Sequence, residues 1–222
     1  MRAPARSPHL FPDRHSAGLE LAEALAPYAA DHPLVLALPR GGVPVAYEIA
    51  RILKAPLDLV LVRKIGAPGY EELGLGAVID GADPQWVLNE EVMRQVHPPE
   101  GWFEAEMQRQ LVELERRRRL YCGDRPAPNV GGHVVIVVDD GIATGGTVRA
   151  VLKGLAKAGP SQLVLAVPVG PRDVIEDLRS QVDELVCLAM PEPFIAVGHH
   201  YADFAQTTDD EVIALLARSR VD

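Results

Sequence analysis

The sequence predicts an α/β fold, an open, mainly parallel five-stranded sheet flanked by helices. Three observations carry that expectation. Five short apolar runs, at 34–38, 57–62, 133–138, 163–167 and 184–188, are rich in Val and Leu and do not alternate with polar residues. That is the pattern of strands covered on both faces. Stretches of helical period lie between them, and the alternation favours right-handed strand–helix–strand crossovers.

After the first run, Val45, Ile49 and Leu53 recur every fourth residue, with Pro44 in the first turn, where a missing N–H costs little. The second run leads into Arg63-Lys64 and a Gly- and Pro-containing stretch at 66–74. Residues 89–121 break the alternation and read as a largely helical insertion, interrupted at His97-Pro98-Pro99 and resuming at 104–121. Its run of Arg116, Arg117, Arg118 and Arg119 follows Glu113 and Glu115, and reads as a solvated helix face or a subunit contact, with anion binding as the alternative. After the third run, Val148, Val151, Leu152 and Leu155 mark one helix face, and Gly159-Pro160 stops it. Val174, Ile175 and Leu178 repeat the pattern after the fourth. Residues 191–204 read as a loop, and a last helix begins at Thr208, where T-D-D-E forms a capping box.

At about 150 residues per domain, 222 residues make one large domain or one and a half. With 48% hydrophobic and 24% charged residues a sizeable core is available, so disorder is not expected. The net charge of −9 counts against a protein that coats nucleic acid, although a local basic patch stays open. Cys122 and Cys187 have no C-x-x-C partner and read as core thiols in a reducing compartment. The basic start, MRAPARSPHLFPDRH, has no apolar stretch behind it, and no run approaches 18 apolar residues. A soluble, cytoplasmic protein without a membrane partner is expected.

In an open α/β sheet, ligands bind beyond the carboxyl ends of the strands. The third run is followed by Asp139-Asp140-Gly141-Ile142-Ala143-Thr144-Gly145-Gly146-Thr147 and then a helix. Three glycines let several backbone N–H groups converge on one anion, and the helix N-terminus and two threonine hydroxyls add to them. Two carboxylates beside such a cradle would repel a polyphosphate unless they face hydroxyls or a cation. A sugar phosphate with vicinal hydroxyls, together with Mg²⁺ reached directly or through water, satisfies both demands. Two rival phosphate motifs fail. Gly146 is followed by Thr147 and Val148 where a Walker A loop needs Lys, and no G-x-G-x-x-G follows the first run.

V-V-I-V-V-D-D-G-I-A-T-G-G-T resembles the 5-phosphoribosyl-1-pyrophosphate (PRPP) signature of type I phosphoribosyltransferases. The likeness runs from about residue 13 to 215, weakly across 89–121, and is nearest to bacterial phosphoribosyltransferases of unsettled acceptor. It rests also on L-P-R-G-G-V-P-V, on R-K-I-G-A-P-G-Y-E-E-L-G-L-G-A-V and on F-I-A-V-G-H-H-Y-A-D-F.

The resemblance implies that Asp139 and Asp140 hold the ribose hydroxyls, and Mg²⁺ through water. It places Gly141, Ile142, Ala143, Thr144, Gly145, Gly146 and Thr147 around the 5′-phosphate. Pro39, Arg40, Gly41 and Gly42 match the pyrophosphate loop, often built on a cis peptide, and Arg40 offers the leaving group a cationic fork. Arg63 and Lys64 match the place where basic residues approach pyrophosphate and a flexible loop at 66–74 closes to exclude water. Ala143 stands where relatives that salvage 6-oxopurines carry an acid, which disfavours hypoxanthine and guanine without establishing adenine. Phe194, Tyr201 and Phe204 are the candidates to stack on a flat base, with hood core as their alternative role. His199-His200 reads as structural. A single domain is expected, with 191–204 and N-terminal residues as a small hood.

The activity so implied is Mg²⁺-dependent transfer of phosphoribosyl from PRPP to a nitrogenous base in nucleotide salvage, by a homodimer. Asp139, Asp140 and Arg40 would be its catalytic groups. The alternative is a PRPP-sensing regulator of the same fold, against which the net charge and the lack of a DNA-binding segment count. A hydrolase has only scattered histidines in its favour.

Overall fold

The computed structural model describes residues 9–220, apart from the side chains at 71 and 72. Residues 1–8, most of the basic start, lie outside that range, as does any part they have in a hood. Strands β1 (Leu34–Ala37), β2 (Leu57–Leu59), β6 (Val134–Val138), β7 (Gln162–Val169) and β8 (Glu184–Ala189) form the expected sheet. It is wholly parallel, in the order β2-β1-β6-β7-β8. Val35 of β1 lies opposite both Leu57 and Ile136. The chain winds outward from β1 to β2 and from β6 to β7 and β8, so a switch point falls between the carboxyl ends of β1 and β6.

Alternate residues of each strand feed opposite faces, which is why the runs are apolar throughout. On one face Val35, Ala37, Ile136 and Val138 pack under α1 (Arg14–Ala24), α2 (Gly42–Leu53) and α7 (Asp209–Arg218). On the other, Leu36, Val135, Val137 and Leu165 pack under α5 (Gly146–Lys157) and α6 (Arg172–Arg179). Val45, Ile49 and Leu53 of α2 and Val148, Val151, Leu152 and Leu155 of α5 are all buried, as their spacing requires. Thr208 caps α7 by accepting the Glu211 N–H at 3.1 Å.

Helix α1 is not marked by a strong apolar period. Its buried face is Ala17, Gly18, Leu21 and Ala22, small residues that let α1 and α2 approach closely. Asp13 starts it, accepting the Ser16 backbone N–H at 2.7 Å, and that bond holds the carboxyl below its usual range. Asp13→Ala is expected to cost about 1 kcal/mol at neutral pH. A carboxyl that titrates lower when folded stabilises the fold above pH about 4 and loses that contribution as the pH falls through the folded value. Urea unfolding of parent and variant, at neutral pH and in acid, measures the difference and its disappearance.

The reading of 57–62 as one strand and of 66–74 as a flexible loop is corrected. Strand β2 stops at Leu59, and the chain enters a second, antiparallel sheet of β3 (Val62–Ala67), β4 (Tyr70–Ile79) and β5 (Gln85–Leu88). Pro68-Gly69 makes its first turn, with Gly69 at φ 74°, the residue pair a type II turn uses. Glycines along this stretch mask its strand pattern, yet Ile65, Leu75 and Val78 are buried.

The insertion is helical and broken where expected: α3 (Glu90–Val96), then α4 (Trp102–Cys122). Arg116 and Arg117 pair with Glu113, and Arg119 with Glu115, as a solvated face should. Arg118 departs from that reading. It is buried, bonding Asp80 at 2.7 Å, Asp58 at 3.0 Å and the Leu59 carbonyl at 2.9 Å, and so bolts α4 to both sheets. Cys122 is buried and Cys187 half-buried, both as free thiols, and burial pushes the Cys187 thiol up to about 11. Among the described residues no helix is long and apolar enough to cross a membrane.

Candidate active site

The loops after β1 and β6 interlock at the switch point. The Leu38 N–H donates to the Val138 carbonyl at 2.9 Å, which extends the strand pairing to the loop edge. A Cβ at Gly42 would lie 2.7 Å from that carbonyl, and one at Gly41 only 2.0 Å from Asp140 Oδ2. Any larger residue would force the loops apart, so the paired glycines are a condition of the contact. Pro39–Arg40 is a cis peptide, as the resemblance implied. The Gly42 N–H is used by the Leu38 carbonyl, whereas those of Arg40 and Gly41 have no partner among the described residues.

Asp139 and Asp140 sit beside this turn, both partly exposed. Burial, and then the Asp140 charge, push the Asp139 carboxyl well above the usual range. Burial also raises Asp140, and Arg14 pulls it back. Arg14 Nε donates to Asp140 Oδ2 at 2.7 Å, while Oδ1 forms no ion pair among the described residues. Tyr201 Oη fixes the Asp140 backbone, donating to its carbonyl at 2.6 Å. One acceptor oxygen of Asp140 is therefore left without a cationic partner.

Ala143, Thr144, Gly146 and Thr147 are exposed, and the backbone N–H groups of 143–147 have no acceptor among the described residues. Arg149 braces the loop from behind, donating to the Thr144 carbonyl at 3.0 Å and to Asp177 at 2.7 Å. With α5 starting at Gly146, these N–H groups converge at a helix N-terminus. Ile142 is an exception within the expected cradle. Its side chain is buried and its N–H donates to the Val169 carbonyl at 2.9 Å, because the chain must anchor to β7 before it can turn.

The remaining candidates are placed less uniformly. Arg40 precedes Gly41 in the interlocked turn, its Nη1 3.5 Å from Asp209 Oδ1, a half-exposed pair that is weak. Arg63 and Lys64 are not at the end of a central strand but on β3. There they line a cleft of about 1450 Å³ that also reaches Gly146, Thr147 and Arg149. Arg63 Nε donates to neutral Gln110 at 2.8 Å, so its charge is not cancelled. Among the described residues the cleft lining carries Arg63, Lys64, Arg109, Arg149 and Lys153 against Glu90 and Glu106, with Arg149 also paired to Asp177, so its net charge there is positive.

Two of the three aromatic candidates do not offer a face to a base. Tyr201 is 2% exposed, with Phe11 against one side of its ring and Phe204 stacked 5.0 Å away. Phe204 has Tyr201 on its ring and the Arg14 guanidinium 3.8 Å from its centroid. Packing of the strap that carries them consumes both rings. Phe194 remains half-exposed beside the His200 ring. His200 is buried and burial lowers its pKa, but its Nε2 has no hydrogen-bond partner among the described residues, so it is not the satisfied structural histidine expected.

Arg14 and Asp209 were not anticipated. Both stand at helix starts far along the chain from the loops they meet, and no local sequence signal marks either as more than a helix-start residue. Among the described residues no group of three or more His, Cys, Asp or Glu side chains is placed to hold a metal.

A family model described as the phosphoribosyl transferase domain matches residues 19–202. Two Mycobacterium tuberculosis proteins provisionally named phosphoribosyl transferases, MT0597 and Rv0571c, are 45% identical over 213 residues, which is 96% of this chain and 48% of each of theirs. The chain thus spans about half the length of these curated relatives. The crystal structure of TT1426 from Thermus thermophilus superposes with a TM-score of 0.81 at 44% identity, covering 94% of this chain and 98% of that one.

Proposed function

The chain belongs to the phosphoribosyl transferase domain family, and on that premise we propose that it transfers the phosphoribosyl group of PRPP to a nitrogenous base, releasing pyrophosphate. The observation that supports this best is the interlock of the two loops. It sets Asp139 and Asp140 between free N–H groups on the β1 side, at Arg40 and Gly41, and on the β6 side, at 143–147.

Each group has a use in such a transfer. The amides of 143–147 and the α5 N-terminus hold the 5′-phosphate, and Thr144 and Thr147 add hydroxyl donors. Asp140 Oδ1 and the Asp139 carboxylate accept the 2′- and 3′-hydroxyls. The N–H groups of Arg40 and Gly41 and the Arg40 guanidinium receive the pyrophosphate, with Arg63 and Lys64 at the cleft wall. As the C1′–O bond breaks, its electron pair leaves with pyrophosphate, and the two carboxylates lie beside the positive charge that builds on the ribose ring. The base nitrogen then bonds to C1′ and loses its proton to solvent. No side-chain nucleophile is needed.

Mg²⁺, which the family generally uses, would supply neutralising charge to the pyrophosphate oxygens. The donor set fits a hard cation held in part by substrate. Two adjacent carboxylates, both raised by burial and Asp139 also by the Asp140 charge, favour added positive charge, but they are too few to cage an ion alone. Asp139 and Asp140 would reach it through water. Of the aromatics Phe194 is left to contact the acceptor, and residues 191–204 with 9–13 form the hood. The acceptor itself is not assigned, and no acid stands at Ala143 to assist a 6-oxopurine.

The test is incubation with PRPP, Mg²⁺ and a panel of purine, pyrimidine and pyridine bases, reading pyrophosphate release. Release with one base confirms transfer. PRPP binding without release for any base supports the sensor reading instead, and no PRPP binding refutes both.

A further inference from the structure

Arg14 is 126 residues from Asp140 in sequence, and the fold brings its guanidinium onto that carboxylate with little freedom to leave. Nε bonds Asp140 Oδ2 at 2.7 Å, Nη1 bonds the Ala205 carbonyl at 2.7 Å, and the planar group lies 3.8 Å from the Phe204 centroid. Its side chain is 12% exposed. The backbone around it is laced together: Leu10 and Phe11 donate to the His200 carbonyl, Ala202 to that of Phe11 and Asp203 to that of Pro12. Asp13 fixes the first turn of α1 from which Arg14 projects. Three distant stretches, 9–14, 139–140 and 200–205, thus meet on one carboxylate.

This assembly has a consequence for the sugar. Asp139 and Asp140 stand on consecutive residues, and the charge of the second disfavours ionisation of the first. Arg14 occupies Oδ2, Gly41 packs against the same oxygen, and Oδ1 is left as the acceptor. We propose that Arg14 is a positioning residue for phosphoribosyl transfer, fixing Asp140 so that Oδ1 is presented to the ribose diol. The segment from Leu10 to Arg14 is then part of the sugar site and not merely its cover. The proposal rests on the reading of Asp140 as a ribose ligand. A latch, in which Arg14 fills the place of the sugar and must be displaced, predicts the opposite sign for its removal.

Calorimetric titration of the full chain with PRPP and Mg²⁺, beside thermal unfolding, separates these cases. Arg14→Met keeps the stem over Phe204 and removes the charge, and should weaken PRPP at least about tenfold with melting shifted by only a few degrees. Arg14→Lys, which keeps a cation facing Oδ2, should recover most of that loss. Phe204→Leu, which keeps Arg14 but removes its platform, should weaken PRPP roughly threefold, and it serves if the methionine variant does not fold. Unchanged or tighter binding by Arg14→Met, a lysine variant as weak as the methionine one, or an unaffected Phe204→Leu would each overturn the proposal. A parent protein that binds no PRPP would instead overturn the function on which it rests.

Discussion

Asp140→Asn is expected to fold as the parent does and to bind PRPP about a hundredfold more weakly. A charged acceptor facing a sugar hydroxyl contributes about 1.5–3 kcal/mol, and the lost charge also acts on the cationic ring as the bond to pyrophosphate breaks. Stability should change little. Burial and the Asp140 charge hold the Asp139 carboxyl high, and the substitution relieves that, while the Arg14 guanidinium, 12% exposed, loses its countercharge. The amide oxygen can still accept from Arg14. A variant that melts no lower than the parent yet fails to bind PRPP would be the signature of a site held at the expense of the fold. Calorimetric titration beside a thermal scan reads both quantities, and undiminished PRPP affinity would remove Asp140 from the sugar contact.

Arg118→Met should have the largest effect on stability, with no direct effect on ligand contacts. Arg118, Asp58 and Asp80 are each about nine-tenths buried, and the arginine also satisfies the Leu59 carbonyl. Removing Arg118 leaves the buried Asp80 without a cation, while Asp58 keeps Arg125 at 3.0 Å, and breaking such a buried cluster costs about 3–5 kcal/mol. For a chain of this length that lowers the melting temperature by roughly 10 °C. Burial has already raised the Asp80 carboxyl, so it should take up a proton once Arg118 is gone. Adding Asp80→Asn to Arg118→Met should then recover part of the loss, because an amide does not carry a charge into the interior. Arg116→Met, on the exposed side of the same helix, should leave stability nearly unchanged. Thermal and urea unfolding of the three variants give the comparison directly.

The contrast within 116–119 shows where reading along the chain stops being sufficient. Four consecutive arginines after two glutamates look alike as text, and the solvated-face reading holds for Arg116, Arg117 and Arg119. Helical rotation turns Arg118 inward, and only the docking of α4 onto β2 and the second sheet decides what it meets. The second sheet was itself hidden, because its glycine-rich strands lack the β-branched alternation that marks an edge hairpin. The aromatics of 194–204 were visible as a group, but a ring that is core and a ring that is open are the same letter. Tyr201 became core because Phe11 packs on it, and the partly buried Phe204 is taken up by Tyr201 and Arg14.

The amino-acid order alone specifies five buried strands, the helices between them, and the two glycine-containing turns that meet at the switch point. These features are set within runs of consecutive residues, by apolar period, by glycines and by the free amides at a helix start. Tertiary structure decides what surrounds the turns: that Arg14 claims one oxygen of Asp140, that Arg63 and Lys64 stand on a separate sheet, and that Arg118 is buried. Each depends on groups tens to more than a hundred residues apart arriving within 3 Å, and no local pattern encodes a distance across the fold.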